Sequence, residues 1–177
     1  MAKKRDKNSL PRKKQEMYQK NSEIIAYWRR NPVIACEDIL GIKLLDVQKW
    51  ILIESWNKPH ILWCCSRNFG KSFLASIIII LKALLYENQQ IYIVSNVGSQ
   101  AQECFMKIEK IAMNRIESIQ SIKDIFANET VKLRKDSNGF SHNPGSYHVS
   151  FYNGSEIFTL NGNVDNNRSR LIAQLLL

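Results

Sequence analysis

The segment from Ile61 to Ile78 reads ILWCCSRNFGKSFLASII, and its succession of residue types decides the predicted fold. The apolar run HILWCC follows the helix breaker Pro59 and is typical of a short buried strand. The polar loop SRNFG comes next, and the long apolar stretch after it predicts a helix from about Lys71 to Tyr86. A strand, a glycine-containing loop and a helix in this order form the usual setting of a phosphate-binding loop.

The second half of this loop meets the physical requirements for holding phosphate. The window CSRNFGKS corresponds to the pattern G-x-x-x-x-G-K-[ST], with Cys65 in place of the first glycine. Gly70 lets backbone N–H groups approach phosphate oxygens, Lys71 supplies a compact positive charge, and Ser72 offers a hydroxyl to Mg²⁺. The alternative is a glycine that only shapes a turn at a helix start. The strand before the loop, the helix after it and the next strand favour phosphate binding.

Arg67 is an unusual feature of the loop, because nucleotide binding does not require a cation at this position. An arginine here could neutralise charge that develops on the γ-phosphate, as an arginine finger does. The alternative is an exposed arginine or a structural ion pair. Arg67 and Lys71 are therefore the predicted catalytic residues. The loop residues predicted to contact the nucleotide are Ser66, Arg67, Asn68, Phe69, Gly70, Lys71, Ser72 and Phe73.

Further strands and helices alternate after the loop. QIYIVS, residues 90–95, is a second buried strand, and SQAQECFMKIEKIAMNRI is a helix with a regular apolar stripe. Strands and helices that alternate through short loops predict a parallel α/β sheet. The stretch ANETVKLRKDSNGFSHNPGS is polar and is predicted to be mostly loop. YHVSFYNGSEIFTL then predicts a late β-hairpin in which Asn153 and Gly154 form a two-residue turn.

The N-terminal part of the chain is strongly basic. Residues 1–30 contain ten Lys or Arg against three acidic residues and so hold +7 of the formal net charge of +9. Residues 1–20 are predicted to form a disordered basic arm, which either neutralises nucleic-acid phosphates or is only a solvated leader. Residues 21–58 are a helical lead-in. Its second helix, DVQKWILIESW, has Asp46 as predicted N-cap and an apolar face of Val47, Trp50 and Ile51.

Composition narrows the class of protein. The 177 residues suffice for one domain with a core, and no apolar run is long enough for a membrane span. The basic N-terminus lacks the apolar region of a signal peptide. The four cysteines show neither a C-x-x-C pair nor nearby histidines, which favours free thiols in a reducing cytoplasm.

CSRNFGKS resembles the variant Walker A loop of the large terminase subunits of tailed bacteriophages, which has Arg before x-x-Gly-Lys-Ser/Thr and lacks the first glycine. The resemblance covers Asn31 to about Arg170. LLDVQKWIL is similar to the family's adenine-contacting segment, which places Gln48 on the base edge; the alternative is an ordinary helix glutamine. YIVSNVGSQAQECFMKIEKI is similar to the family's second strand and helix, and YNGSEIFTLNGNVDNNRSR to its hairpin and arginine loop.

The resemblance implies an incomplete P-loop NTPase domain of the ASCE type over residues 59–177, with a parallel sheet, flanking helices and the late hairpin. It implies an ATP hydrolase that drives double-stranded DNA into procapsids in the bacterial cytoplasm. It also implies the small terminase subunit and the portal as partners. The family's nuclease domain is absent from the sequence.

A P-loop ATPase also needs an acidic pair after a buried strand, to organise Mg²⁺ and to polarise the attacking water. In the terminase pattern this strand would be LIAQLLL, residues 171–177, and no Asp-Glu pair follows it. Asp165 lies in the polar loop before that strand, and Glu37 and Asp38 precede the phosphate loop. Truncation, or an out-of-frame tail after Arg170, would each explain the missing pair. We expect weak ATP binding and poor hydrolysis.

Two rival interpretations stay open. One is a fragment of another nucleic-acid-dependent P-loop ATPase, such as a helicase, against which the Arg67 variant loop argues. The other is a non-catalytic DNA-binding remnant in which only the basic arm acts.

Overall fold

The protein has a mixed α/β fold, seen in a computed structural model that describes residues 12–95, 97–118, 139–143, 146–161 and 174–176. A π-helical turn, Cys36–Leu40, lies between the second and third helices. The helices are α1 Arg12–Arg30, α2 Pro32–Ala35, α3 Asp46–Trp56, α4 Lys71–Leu85 and α5 Gly98–Ser118. The strands are β1 Gln90–Ser95, β2 Phe140–Asn143, β3 Ser146–Ser150, β4 Glu156–Asn161 and β5 Gln174–Leu176.

The sheet is mixed rather than parallel as predicted. Its strand order is β2-β3-β4-β1-β5. β1 runs parallel to β4 and to β5, whereas β2, β3 and β4 pair antiparallel. The difference follows from the connections, because strands joined by tight turns must run antiparallel. β2 is also a departure, since its sequence FSHN lies in the stretch predicted to be mostly loop.

The predicted hairpin is present as β3 and β4, but its turn has three residues rather than two. His148 lies opposite Phe158, and Phe151 donates its N–H to the carbonyl of Ser155 at 2.8 Å. This register places Tyr152, Asn153 and Gly154 in the turn. Gly154 adopts a φ of 81°, the left-handed conformation that closes three-residue hairpin loops.

The predicted strand HILWCC does not form. Residues 61–66 have no regular secondary structure, and no strand of the described residues pairs with them. Leu62 is 87% exposed and Ile61 is 44% exposed, so the segment is not buried. A strand needs a hydrogen-bonding neighbour as well as apolar side chains, and the sequence pattern reports only the side chains.

The core lies between the sheet and the helices α4 and α5. α4 is apolar almost all round and is buried accordingly. Its predicted extent, Lys71 to about Tyr86, agrees with the observed end at Leu85, and β1 has the predicted bounds. The predicted apolar stripe of α5 is confirmed, because all four of its residues are buried: Phe105, Ile108, Ile111 and Ala112.

The basic arm is helical where the structure describes it, so the prediction of disorder is wrong for residues 12–20. α1 is one continuous helix whose last turn is anchored to the fold. Arg29 Nε donates to the carbonyl of Leu85 at 2.6 Å, and Trp56 Nε1 donates to the carbonyl of Arg29 at 2.8 Å. An anchored end removes the cost of nucleation, so good helix formers upstream extend the helix. Residues 1–11 lie outside the described residues.

The buried face of α3 differs from the predicted one. Val47 and Trp50 are 56% and 64% exposed, and Ile51 is half-buried, whereas Leu52 and Trp56 form the buried face. α3 has apolar residues on all its faces, so helix periodicity alone does not show which face is buried. The observed face includes Trp56, whose indole hydrogen-bonds to α1. The N-cap is also one residue earlier than predicted, because Asp46 already belongs to the helix.

Candidate phosphate-binding site

The loop before α4 turns sharply into the helix. Asn68 and Gly70 both have left-handed φ values, 64° and 91°. Asparagine tolerates this conformation and glycine adopts it without a Cβ penalty. Leu74 donates its N–H to the carbonyl of Gly70 at 2.9 Å, so the helix begins directly at the loop. The positive end of the 15-residue α4 therefore faces the loop.

The loop closes around the ammonium group of Lys71. Its Nζ donates to the carbonyl oxygens of Cys65 at 2.9 Å and Ser66 at 2.8 Å. An ammonium group has three donors, and no other acceptor within the described chain takes the third. Lys71 is half-buried, so the donor is held in place and stays accessible to a ligand. This arrangement fits a phosphate oxygen.

Gln48 lies against the loop, as its predicted role requires. A Cβ added to Gly70 would stand 3.4 Å from Gln48 Nε2. The other end of the amide is occupied, because Gln48 Oε1 accepts the N–H of Leu45 at 3.2 Å and caps α3. Both interpretations of Gln48 thus have a structural basis. The capping bond fixes the side chain, and the amide nitrogen points to the loop. Contact with adenine stays a prediction.

One polar contact attaches the segment before the loop to α3, and a second joins α3 to α4. Trp63, just before the loop, packs against the core and donates its Nε1–H to Ser55 Oγ on α3 at 3.0 Å. Lys82 on α4 donates to the carbonyl of Trp56 at 2.7 Å, and its ammonium lies 4.3 Å from the centre of the Trp56 ring. Burial lowers the pKa of Lys82. These contacts keep α3, the loop and α4 together.

The other predicted loop residues divide between solvent and core. Arg67 is exposed and makes no ion pair or hydrogen bond within the described chain. Of the two alternatives to a catalytic role, the structural ion pair is therefore absent there, and the exposed arginine is left. Ser66 is exposed, and its carbonyl accepts from Lys71. Phe69 is half-buried. Phe73 packs its ring against the core, so it offers a ligand only its backbone N–H.

Ser72 borders a polar cavity of about 280 Å³ at the carboxyl end of β1. Ligands of α/β sheets bind at this end of the strands. Its polar lining side chains are Ser72, Ser95, Gln100, Glu103, Cys104 and Lys107.

The residues of α5 that line this cavity were not among the predicted site residues. Gln100, Glu103 and Lys107 are spaced so that they share one face of α5, and this helix follows the buried strand β1. Polar residues at i, i+3 and i+7 after a strand were the available signal. Ser95 Oγ donates to Gln100 Oε1 at 2.8 Å, which ties the strand end to the helix start.

The floor of the cavity is neutral. Ser76 Oγ donates to the carbonyl of Ser72 at 2.7 Å and lies 3.5 Å from the sulfur of Cys104. Burial raises the pKa of the Cys104 thiol, and the hydrogen bond with Ser76 and the charge of Lys107 oppose this shift. The thiol therefore stays protonated, and the charges of the cavity come from α5.

A full set of metal-binding carboxylates is not found in the described residues. No group of three or more His, Cys, Asp or Glu residues there could hold a metal ion. Asp38 accepts a hydrogen bond from Trp28 Nε1 at 2.9 Å and is placed in the π-helical turn. β5 does lie parallel to β1, but Asp165 falls outside the described residues. Ser72 and Glu103 line the same cavity, and their hydroxyl and carboxylate are oxygen donors of the kind that Mg²⁺ takes as ligands.

No protein-family model matches this chain, and comparisons with curated proteins and with solved structures also find no match. Within the described chain, every helix is too short or too polar to cross a membrane.

Proposed function

We propose that the loop before α4 binds ATP and that the chain is the ATP-binding portion of a DNA-packaging motor of the terminase large-subunit type. The observation that carries the proposal is the clamp on Lys71, whose ammonium is held by the carbonyls of Cys65 and Ser66 at a helix start. A cation placed there, beside the N–H groups of the first helical turn, binds phosphate oxygens well.

The loop residues have distinct roles in this proposal. Lys71 binds the terminal phosphates, Gly70 allows close approach of the backbone, and the exposed Arg67 neutralises charge on the γ-phosphate in the transition state. Gln48 binds the adenine edge with its Nε2 group. Ser72 is the protein ligand for Mg²⁺, which supplies charge neutralisation on the phosphates when bound.

The packaging role adds double-stranded DNA, the small terminase subunit and the portal as partners, in the cytoplasm of a bacterial host. It is supported by the resemblance of CSRNFGKS to the terminase loop and by the charge of +7 on residues 1–30. α1, which carries most of that charge, is one helix that ends at the anchored turn at Arg29. A basic helix of this kind can neutralise DNA phosphates.

Nucleotide binding by the purified chain tests the proposal. Isothermal titration with ATP in Mg²⁺ should give saturable binding that Lys71→Ala reduces at least tenfold, since the variant loses a charge-assisted contact worth about 1.5–3 kcal/mol. Lys58→Ala, which removes an exposed lysine from the end of α3, is the matched control and should bind as the parent does. Equal affinity of the Lys71→Ala variant and the parent would refute the site.

Hydrolysis is expected to be slow, because the part of the chain that the structure describes offers no acidic pair beside β5. A steady-state phosphate-release assay should therefore give a low rate. Robust hydrolysis that Lys71→Ala abolishes would show that a general base is present after all.

The binding-module alternative rests on the basic helix α1, and deletion of residues 1–20 separates it from the motor proposal. If DNA affinity is lost with these residues while ATP does not bind, the chain is a DNA-binding module. If ATP binds at Lys71, the binding-module alternative is excluded.

A further inference from the structure

The polar cavity beside Ser72 is lined by the first turn of α4, by the end of β1 and by α5. Ser72 belongs to the first turn of α4, and Glu103 and Lys107 come from the second and third turns of α5. Glu103 and Lys107 are exposed, and within the described chain neither makes an ion pair. A carboxylate and an ammonium group, one helical turn apart, therefore both face the space next to the proposed Mg²⁺ ligand.

We propose that this cavity receives the Mg²⁺-bound terminal phosphate of the nucleotide, with Glu103 holding the metal through a metal-bound water and Lys107 binding the γ-phosphate. The inference rests on the proposed ATP site and assigns two residues of α5 to it. It also gives α5 a role as the element that distinguishes ATP from ADP.

The size of the cavity agrees with water-mediated metal binding. A cavity of about 280 Å³ is roughly 8 Å across if treated as a sphere, and Mg²⁺ keeps oxygen ligands at about 2.1 Å and retains several waters. Ser72 on one wall and Glu103 on another thus leave room for the ion and one water between them. Direct coordination by both side chains is not needed.

The charges make the inference specific. A triphosphate close to the Glu103 carboxylate is repelled by it unless a cation lies between them. Glu103 therefore weakens metal-free ATP binding and strengthens Mg²⁺-ATP binding. The quantity that reports this is the ratio of the two affinities, measured with Mg²⁺ and with EDTA. Lys107 acts on the γ-phosphate alone and affects ATP more than ADP.

Two variants and two matched controls test the inference by equilibrium binding of a fluorescent ATP analogue. Glu103→Gln should lower the ratio of Mg²⁺ to EDTA affinity roughly three- to eightfold, the Coulomb effect of one exposed charge at about 7 Å. Lys107→Gln should lower the preference for ATP over ADP by a similar factor. Glu54→Gln on α3 and Lys110→Gln, one turn further along α5, change exposed residues that do not line the cavity and should have no effect.

The outcomes separate this inference from the proposed function. If the parent chain binds no nucleotide, the proposed function fails and this inference fails with it. If the parent binds ATP through Lys71 but Glu103→Gln changes the ratio no more than Glu54→Gln does, only the inference is overturned. All variants lie on exposed helix faces, and circular dichroism checks that each is folded. A lowered ratio with Glu103→Gln and an unchanged one with both controls would support the metal contact.

Discussion

Replacing Asn153 by alanine should release the C-terminal end of α4. Asn153 lies in the hairpin turn, and its Nδ2 donates to the carbonyl of Ala83 at 2.7 Å and more weakly to that of Tyr86 at 3.3 Å. Its Oδ1 accepts the N–H of Ser155 at 3.0 Å. One side chain thus satisfies terminal carbonyls of α4 and closes the turn between β3 and β4.

The magnitude follows from these bonds. The alanine variant loses the short bond to Ala83 and the bond from Ser155, each worth about 1 kcal/mol net in a half-buried position. We expect the free energy of unfolding to fall by about 2 kcal/mol. With a urea dependence of about 2 kcal/mol per molar, the midpoint of urea denaturation should fall by about 1 M.

A second variant tests the role of the donor at this position. Asn153→Asp keeps an acceptor for the N–H of Ser155 but places a negative charge at the C-terminal end of α4, where the helix dipole opposes it. This variant should be less stable than Asn153→Ala.

The matched control for Asn153→Ala is Asn57→Ala. Asn57 is exposed after α3, and its side chain makes no hydrogen bond within the described chain. The control should change stability by less than about 0.5 kcal/mol. Urea denaturation followed by circular dichroism measures all three variants. Equal midpoints for Asn153→Ala and Asn57→Ala would refute the capping role.

Two further predictions concern the loop and the sheet. Gly70→Ala places a side chain at a φ of 91° and 3.4 Å from Gln48 Nε2, so it should cost about 1–2 kcal/mol of stability in urea denaturation. Gly98→Ala, in the first turn of α5, should be neutral or stabilising. Burial lowers the pKa of His148 below its ordinary value of 6.5, although Glu156 opposes the shift. The unfolded chain then binds more protons, so stability should fall as the pH drops through 6.5 and below, and His148→Gln should flatten this fall. An unchanged pH dependence in that variant would contradict the shift.

Local sequence patterns were enough to predict those parts of the structure that depend on residues close together in the chain. α4 and β1 lie almost where the apolar runs predict them, and the stripe of α5 from Phe105 to Ala112 is buried as predicted. The loop before α4 is in the same class, because Gly70 and Lys71 adopt their positions through turns and bonds to residues at most six positions away.

Pairing partners could not be predicted in the same way. HILWCC has the composition of a strand and is unpaired, whereas the polar FSHN of β2 pairs with β3. The three-residue turn at Gly154 and the face of α3 chosen by Trp56 were likewise decided by contacts with distant segments.

The same distinction between local and long-range determinants applies to the candidate site. The order of residues in CSRNFGKS by itself determined a glycine-lysine-serine loop at the start of a helix. Only the tertiary structure placed Gln48 beside Gly70 and set Glu103 and Lys107 across a cavity from Ser72. The physical reason is range: dihedral preferences and helix periodicity act over a few residues, whereas a cavity or a strand pair exists only when segments far apart in the chain have packed together.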